Sequence, residues 1–554
     1  MPDVSALNLD VIPEPTASLG VLPAVAAEKH PDTPFLSDTP WRTYDHPVRN
    51  IGDFARAVDD YADRFWAAGI RRGDVVAVVQ RNHIEVEGVM CGLGKIGALP
   101  ALLSSGMETG ELLECFARLE NPYLVVDSLG LSRLAESRHA LRLLTRNVLC
   151  LEETDETWVV PLQERLAHTT NPRDEDDWFV ITHSSGTTGA PKMAAHSTRS
   201  LFGMVAPMIM IFRDQYAPTD LNAKHLSFVH ARTCAGTLAS LETAMPALAI
   251  ADPDPAHVKR LMLEHRPTSI ETHPNVYIQW ETLADDPDRP FQHVERFIST
   301  FDAMHPRTVR ALLNASEHPG AHYFQAYGQT ESGPICLRIV TREESAEYSP
   351  RNVGHAGGGM EIRIVDEHGT PQPANAPGFI ETRSPGRMRG YVGGDPMPPQ
   401  DSWWPMGDIG RQLDDGSLEL LDRIVEHVDG VGSLLEKEDH LLEAMPELVE
   451  LVLVKAEDDA SVFAVACPRP GTVPDPERFR AVAAEAGLPD LQVRFWEWEA
   501  MPVTGSYKVR RSVLRRKLAG RIQRTTTTDA VSPAASASAS AAATASGAAS
   551  GKEA

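Results

Sequence analysis

Ile181-Thr-His-Ser-Ser-Gly-Thr-Thr-Gly-Ala-Pro-Lys192 decides how the rest of this chain is read. Seven positions of that window are Ser, Thr or Gly, and a single lysine closes it. It follows Trp178-Phe-Val-Ile181, a short apolar run that reads as a buried strand. Gly186 and Gly189 let the backbone turn tightly and expose its N–H groups. The hydroxyls of Ser184, Ser185, Thr187 and Thr188 add donors, and Lys192 adds a positive charge. A loop of that composition suits a polyphosphate. It is not the G-x-x-x-x-G-K-S/T phosphate loop, because only two residues separate its glycines and Pro191 precedes the lysine. Taken alone, the window also fits a plain Ser/Thr/Gly surface turn, so the decision rests on what accompanies it.

A chain of 554 residues exceeds what one hydrophobic core holds, and at least two domains are expected. Apolar content of 42% and charged content of 23% are those of an ordinary globular protein. The formal net charge of −25 argues against a nucleic-acid partner, which would want a basic face. No apolar run reaches the roughly 18 residues that span a bilayer, and no charged-then-apolar signal peptide opens the chain. The expectation is therefore a cytoplasmic protein with no membrane partner. Cys91, Cys115, Cys150, Cys234, Cys336 and Cys467 show no C-x-x-C spacing and read as reduced core thiols.

From residue 43 to about 430, helical and strand-like segments alternate. Ile51 to Gly69 puts Phe54, Val58, Tyr61, Ala62 and Phe65 on one helical face, and Asp74-Val-Val-Ala-Val-Val79 reads as a buried strand. Ile84 to Ile96 reads as a helix, and Pro100–Ser104 and Tyr123–Asp127 as strands. Such alternation implies parallel sheets covered on both faces. Around 354–391 the texture changes to antiparallel hairpins, as in Met360-Glu-Ile-Arg-Ile-Val-Asp366 followed by Phe379-Ile-Glu-Thr-Arg383. Beyond it the sequence predicts a small α+β unit, with a helix over Leu441–Val449, strands at Leu451–Val454 and Val462–Ala466, and a helix over Arg478–Ala486. After about Arg524 only a Thr/Ala/Ser-rich tail remains, too poor in apolar residues to order itself. The expected division is 1–424, 425–520 and a disordered tail at 525–554.

Four islands accompany the loop. They are Tyr327-Gly-Gln-Thr-Glu-Ser332, Trp403-Trp-Pro-Met-Gly-Asp-Ile-Gly410, Leu421-Asp-Arg-Ile424 and Pro502-Val-Thr-Gly-Ser-Tyr-Lys508. Singly, Glu331 fits a solvated loop carboxylate, Asp408 a turn or cap residue, and Lys508 a surface lysine. In this order and spacing, with Gly73-Asp-Val-Val-Ala, Gly97-Ala-Leu-Pro and Gly390-Tyr391, they resemble the acyl-adenylate-forming superfamily. That superfamily holds acyl- and aryl-CoA ligases, peptide-synthetase adenylation domains and firefly-type luciferases, and the resemblance covers roughly residues 43–520. It implies an α/β fold, with a large N-terminal domain of two parallel-type αβ subdomains plus a β-barrel-like part. A small α+β C-terminal domain would rotate on a hinge.

By the same resemblance, the chain attacks the α-phosphorus of ATP with a carboxylate, expels pyrophosphate and holds an acyl-AMP. Two anions must meet, so positioning and charge neutralisation dominate. Residues 184–192 would wrap the β- and γ-phosphates, Thr330 would touch the α-phosphate, and Glu331 would hold Mg²⁺, a hard cation that prefers oxygen ligands. Tyr327 would stack on adenine, Asp408 would take the ribose hydroxyls with Arg423 nearby, and Lys508 would bridge the attacking oxyanion and the α-phosphate. CoA or another acceptor would then receive the acyl group.

Several positions depart from the family pattern. Met193 stands where the loop usually ends in glycine, and Met406 where the ribose motif has threonine. Val425 takes the hinge position and Tyr507 replaces the glycine before the catalytic lysine. Residues 427–438, which shape the thiol tunnel in the family, are about two residues short. Ser299-Thr-Phe-Asp-Ala303 lies where a Gly-Gly-Ala turn flanks the acyl group, so Phe301 fills volume and Asp302 adds charge. His230 and Arg232 fall among the expected pocket residues; Arg232 would meet a second anionic group or pair with a structural carboxylate. These departures favour a small or polar substrate. The first reading is an AMP-forming ligase for a small aryl or short acyl carboxylate. The second is a diazotase that adenylates nitrite and passes it to an aryl amine, and the third is a non-catalytic nucleotide-binding relative. The sequence leaves the oligomeric state undetermined.

Overall fold

A computed structural model describes residues 14–184, 191–212, 219–424, 426–428, 431–455, 461–504 and 508–522. Those residues form four sheets. In the first, Val75–Gln80 and Leu99–Ser104 lie parallel at the centre, flanked in parallel by Tyr123–Val126, Asn147–Cys150 and Val160–Pro161 on one side and Val180–His183 on the other. Val180–His183 then pairs antiparallel with Met193–His196, which pairs with Gly390–Tyr391. The central strand is apolar at successive positions because helices cover both faces. Val76 and Val78 pack with helices Ile51–Ala67 and Glu85–Lys95, while Ala77 and Val79 pack with Thr109–Arg118 and Arg138–Leu144.

The second sheet also has eight strands. Phe35–Ser37, Ala247–Ala249, Asn222–His225, Ser269–Thr272, Arg296–Ser299 and His322–Gln329 run parallel, and Gly333–Thr341 and His355–Ala356 close it antiparallel. These are the two expected αβ units. The antiparallel part is a four-stranded sheet of Glu361–Val365, Gly378–Arg383, Trp404–Gln412 and Leu418–Arg423. Ile364, Ile380, Met406 and Leu418 bury it against Ile335 and Cys336 of the second sheet.

The small C-terminal unit holds strands Leu448–Lys455, Val462–Pro468 and Gln492–Phe495, with helices Leu434–Ala444, Pro476–Glu485 and Arg511–Ile522. Its first helix starts earlier than the sequence predicts and stops before Val449. Ser433 caps it by accepting the Glu436 N–H at 3.1 Å, and Pro446 disfavours helical backbone at Met445. Leu448 to Lys455 is released into a strand. The unit's two apolar clusters draw only on its own residues, from Val428 to Leu518. Its contacts to the body include the ion pairs Arg510–Glu111 (2.6 Å), Arg351–Asp439 (2.7 Å), Arg310–Glu443 (2.9 Å) and Arg469–Glu281 (2.9 Å). All six cysteines are buried and free. Among the described residues no helix is long and apolar enough to cross a membrane. The hinge residue Val425, Tyr507 and the tail at 525–554 lie outside the described residues.

Candidate active site

Two hairpins and two loops build the site. The first hairpin is the strand pair Val180–His183 and Met193–His196. At its neck the Ser184 N–H donates to the Lys192 carbonyl (2.8 Å), and the Lys192 N–H donates to the Ser184 hydroxyl (3.2 Å). Ser185, Gly186, Thr187, Thr188 and Gly189 lie outside the described residues. Lys192 is exposed, with its ammonium 5.4 Å from the centre of the Tyr391 ring. Met193 needs no glycine's freedom here, because it opens a regular strand with its side chain buried in the core of the first sheet.

The second hairpin joins His322–Gln329 to Gly333–Thr341 and carries Thr330 and Glu331 at its turn. Its register shifts between Tyr327 and Gly328. A Cβ on Gly328 would lie 2.0 Å from the Gly333 carbonyl oxygen, so only glycine lets the strands close. Both Thr330 and Glu331 are buried. Tyr391, which the sequence offers only as a supporting piece, donates its hydroxyl to Glu331 Oε1 at 2.7 Å. Burial, and then the Glu331 charge, push the Tyr391 phenol well up.

The antiparallel sheet contributes Asp408. The Tyr327 hydroxyl donates to its Oδ2 at 2.5 Å, and Arg423, its register partner on the next strand, sits with Nε 3.7 Å from Oδ1. Burial and the Asp408 charge raise the Tyr327 phenol, which stays a donor at neutral pH. Met406 faces the core beneath, where its sulfur accepts from Gln329 Nε2 at 3.3 Å.

Lys508 arrives from the small unit. Its carbonyl accepts from the Thr504 N–H (2.8 Å), its own N–H donates to the Thr504 hydroxyl (3.2 Å), and Val503 bridges Val509. The charges that act on its ammonium are Asp302, Arg423, Asp408 and Glu331, all from the large domain. Burial lowers the Lys508 ammonium below its ordinary value, and Asp302 opposes that shift. Burial would raise the Asp302 carboxyl, but Lys508 and Arg423 prevail and hold it low. Residues spread over two hundred positions of sequence thus share one electrostatic cluster.

Beside the cluster stands Phe301, at φ +85°, in backbone space that suits glycine. Its ring lies between His230 (centroids 4.6 Å apart) and His273 (4.3 Å). His230 caps helix Ala231–Thr243: its Nδ1 accepts the Arg232 N–H at 3.1 Å, which leaves Nε2 facing the Thr330 hydroxyl at 3.3 Å. Burial pushes His230 down to about 3 and His273 well below its usual value, so both imidazoles are neutral near pH 7. Nothing in the sequence marks His273, a lone histidine before a helix-starting proline. Arg232 turns to Glu271, pairing at 2.9 Å, so of the two partners open to it the structural carboxylate is the one engaged. A cleft of about 510 Å³ separates the small unit from the body, lined by Met107, Glu111, His183, His230, Thr504 and Arg510 among others. Among the described residues no group of three or more His, Cys, Asp or Glu could hold a metal ion.

Comparison with known proteins fits this geometry. Residues 24–392 match the family of AMP-binding enzymes. The chain is 33% identical over 498 residues to 3-amino-2-hydroxy-4-methoxybenzoate diazotase of Streptomyces cremeus, covering 85% of this chain and 89% of that one. It is 26% identical to 4-coumarate–CoA ligase-like 3 of Arabidopsis thaliana, over 74% of this chain and 76% of the relative. In three dimensions it resembles an anthranilate CoA ligase solved in complex with anthranoyl-AMP, with a TM-score of 0.75 at 16% identity, over 94% of this chain and 99% of that one.

Proposed function

The chain belongs to the AMP-binding enzyme family and is an AMP-forming, adenylate-forming ligase; on that premise we propose that it activates a small aryl or short acyl carboxylate and passes it to CoA or another acceptor. The observation that carries the size limit is the Phe301 ring wedged between His230 and His273, where a long acyl chain would need room.

Enzymes of this family use ATP with Mg²⁺. Mg²⁺ is usually held by one or two carboxylates plus phosphate oxygens and water. The single buried carboxylate of Glu331, steadied by Tyr391, suits such an ion better than a ready-made protein cage would. Bound there, the ion would neutralise phosphate charge. In this reading the loop 184–192 cradles the β- and γ-phosphates, Thr330 contacts the α-phosphate, and Tyr327 stacks on adenine. Asp408 accepts from the ribose hydroxyls, with Arg423 alongside. A carboxylate oxygen attacks the α-phosphorus and the bond to the pyrophosphate oxygen breaks. The Lys508 cation lies between the two anions and stabilises charge at the crowded phosphorus. His230, neutral, donates through Nε2 to Thr330 and adds no charge of its own. We take residues 1–424 as the body and 425–520 as the lid, turning about position 425.

A second reading keeps the first half-reaction and changes both partners: nitrite is adenylated and passed to an aryl amine. The near full-length identity to a diazotase favours it, and nitrite is the three-atom oxyanion that a filled pocket admits most easily. One assay separates the two. Purified protein is given ATP, Mg²⁺ and either a panel of carboxylic acids or nitrite, with CoA or an aryl amine as acceptor, while pyrophosphate and AMP are followed. CoA-dependent AMP release with a carboxylate removes the diazotase reading. Nitrite-dependent release without CoA removes the carboxylate reading. No pyrophosphate under any combination overturns both.

A further inference from the structure

A second cleft, about 660 Å³ with its open mouth, lies inside the second sheet's half of the molecule. Helices Thr198–Phe212 and Ala231–Thr243 cover it, and strands Asn222–His225, Ser269–Thr272 and Arg296–Ser299 form its floor. Met208, Leu226, Met245 and Ile298 give it apolar walls. Four charged side chains line it as well: Lys224, Arg232, Glu271 and Arg296, the last paired with Glu295 at 2.6 Å and Asp220 at 3.4 Å.

Their partnering is incomplete. Arg232 donates to Glu271 Oε2 at 2.9 Å, while Glu271 Oε1 is buried with no hydrogen-bond partner. Lys224 is 3% exposed, and among the described residues its ammonium makes no hydrogen bond and no ion pair within 4.0 Å. Burial lowers its ammonium below the ordinary value; Glu87 and Glu271, at longer range, oppose that shift and Arg232 adds to it. Glu87, buried in helix Glu85–Lys95, leaves both carboxylate oxygens without hydrogen bonds, and burial pushes it up to about 8, towards its neutral form. Among the described residues, the Lys224 ammonium and Glu271 Oε1 thus stand at the cleft without a close partner. Buried polar groups are normally matched, and unmatched ones in a cavity mark the place of a bound group. The first turn of helix Ala231–Thr243 ties the cleft to the reaction centre, since His230 touches Thr330 while Arg232 lines the cleft.

We propose that this cleft is the subsite for an aromatic ring bearing an anionic oxygen next to an N–H or O–H donor, that is, an amino- or hydroxy-substituted aryl acid. Lys224 takes the anionic oxygen, Glu271 Oε1 accepts from the donor, and the methionine, leucine and isoleucine walls hold the ring. The assignment rests on the adenylation reading above, and serves it whether the ring is the acid activated or the amine that accepts.

The test is calorimetric titration of the full-length protein, with AMP present, using 3-amino-4-hydroxybenzoate against benzoate and aniline. The wild type binds the substituted ring at least tenfold more tightly than either simple ring. Lys224→Met removes that margin, Glu271→Gln reduces it, and the affinity for AMP stays unchanged in both. Gly236→Leu, whose side chain grows towards Arg232 in the cleft (a Cβ there lies 3.2 Å from Nη1), abolishes ring binding with every charge retained. Equal binding of the three rings by the wild type overturns the proposal, as does a Lys224→Met or Gly236→Leu protein that keeps the margin; the cleft then holds only water. If Lys224→Met fails to fold, the ring series on the wild type and Gly236→Leu decide. Absence of pyrophosphate release with every acid and nitrite, alongside ring binding that depends on the cleft, defeats the adenylation reading and leaves the subsite standing. Pyrophosphate release that is intact while ring binding ignores Lys224 and Gly236 does the reverse.

Discussion

The two eight-stranded sheets share an architecture and differ in what their strands bury. In the first, Val75–Gln80, Leu99–Ser104 and Tyr123–Val126 are nearly all apolar. In the second, the corresponding strands bury Asn222, Lys224, Glu271 and Arg296 among the hydrophobic residues. Buried charge is expensive and is kept where it has a task. On the function proposed above, the first sheet is a platform for the nucleotide and the second is where the substrate is chosen.

Five variants break or sharpen that contrast. Lys508→Ala, which removes the cation shared by both halves, should slow pyrophosphate formation by about 100- to 1000-fold with AMP affinity nearly unchanged. Because burial lowers the Lys508 ammonium, the wild-type kcat should fall with rising pH sooner than a free lysine would dictate. That alkaline limb should be missing from the variant. Gly328→Ala, at the second sheet's hairpin, forces a Cβ to 2.0 Å from a carbonyl oxygen and should cost about 3 kcal/mol or more in urea denaturation. Gly110→Ala, in a helix over the first sheet with nothing within 4 Å of the new atom, should be neutral or gain up to about 1 kcal/mol.

Phe301→Gly should lower KM for bulky acids roughly tenfold while leaving ATP binding alone. Relief of the positive φ, about 1–2 kcal/mol, does not quite offset the loss of a packed ring, about 1.5–3 kcal/mol, so Tm should fall slightly. An effect confined to acid pH concerns His196, fully buried on the first sheet and held down to about 3 by burial. Between pH 6.5 and 3 the unfolded chain takes up a proton that the folded one refuses, so stability falls as pH falls, by at most about 1.4 kcal/mol per unit. His196→Gln should flatten that slope in Tm measured against pH.

The residues proposed for the nucleotide are the legible ones, because they sit in short islands whose order is itself the signal. Thr330, Glu331, Asp408, Arg423 and Lys508 are brought into one cluster as that order implies. The acid end was less legible, since it depends on pairings across long separations. Whether Arg232 meets a ligand or a carboxylate is decided by Glu271, 39 residues on, and the Tyr391 contact to Glu331 spans 60. The bulk of Phe301 is plain in the sequence, but the backbone angle that aims its ring between two histidines has no sequence signature. The helix at Leu434–Ala444 was misplaced because the same apolar residues continue into a strand, and only Pro446 marks the break.

The small domain keeps its apolar residues to itself and meets the body through pairs such as Arg510–Glu111 and Arg351–Asp439. Partly exposed pairs of this kind contribute about 0–1 kcal/mol each and weaken as salt screens them. Ionic strength is thus a control on turnover: raising it should loosen the Lys508-in arrangement before it disturbs either core, so that potassium chloride becomes a reversible inhibitor of the first half-reaction in a protein that remains fully folded.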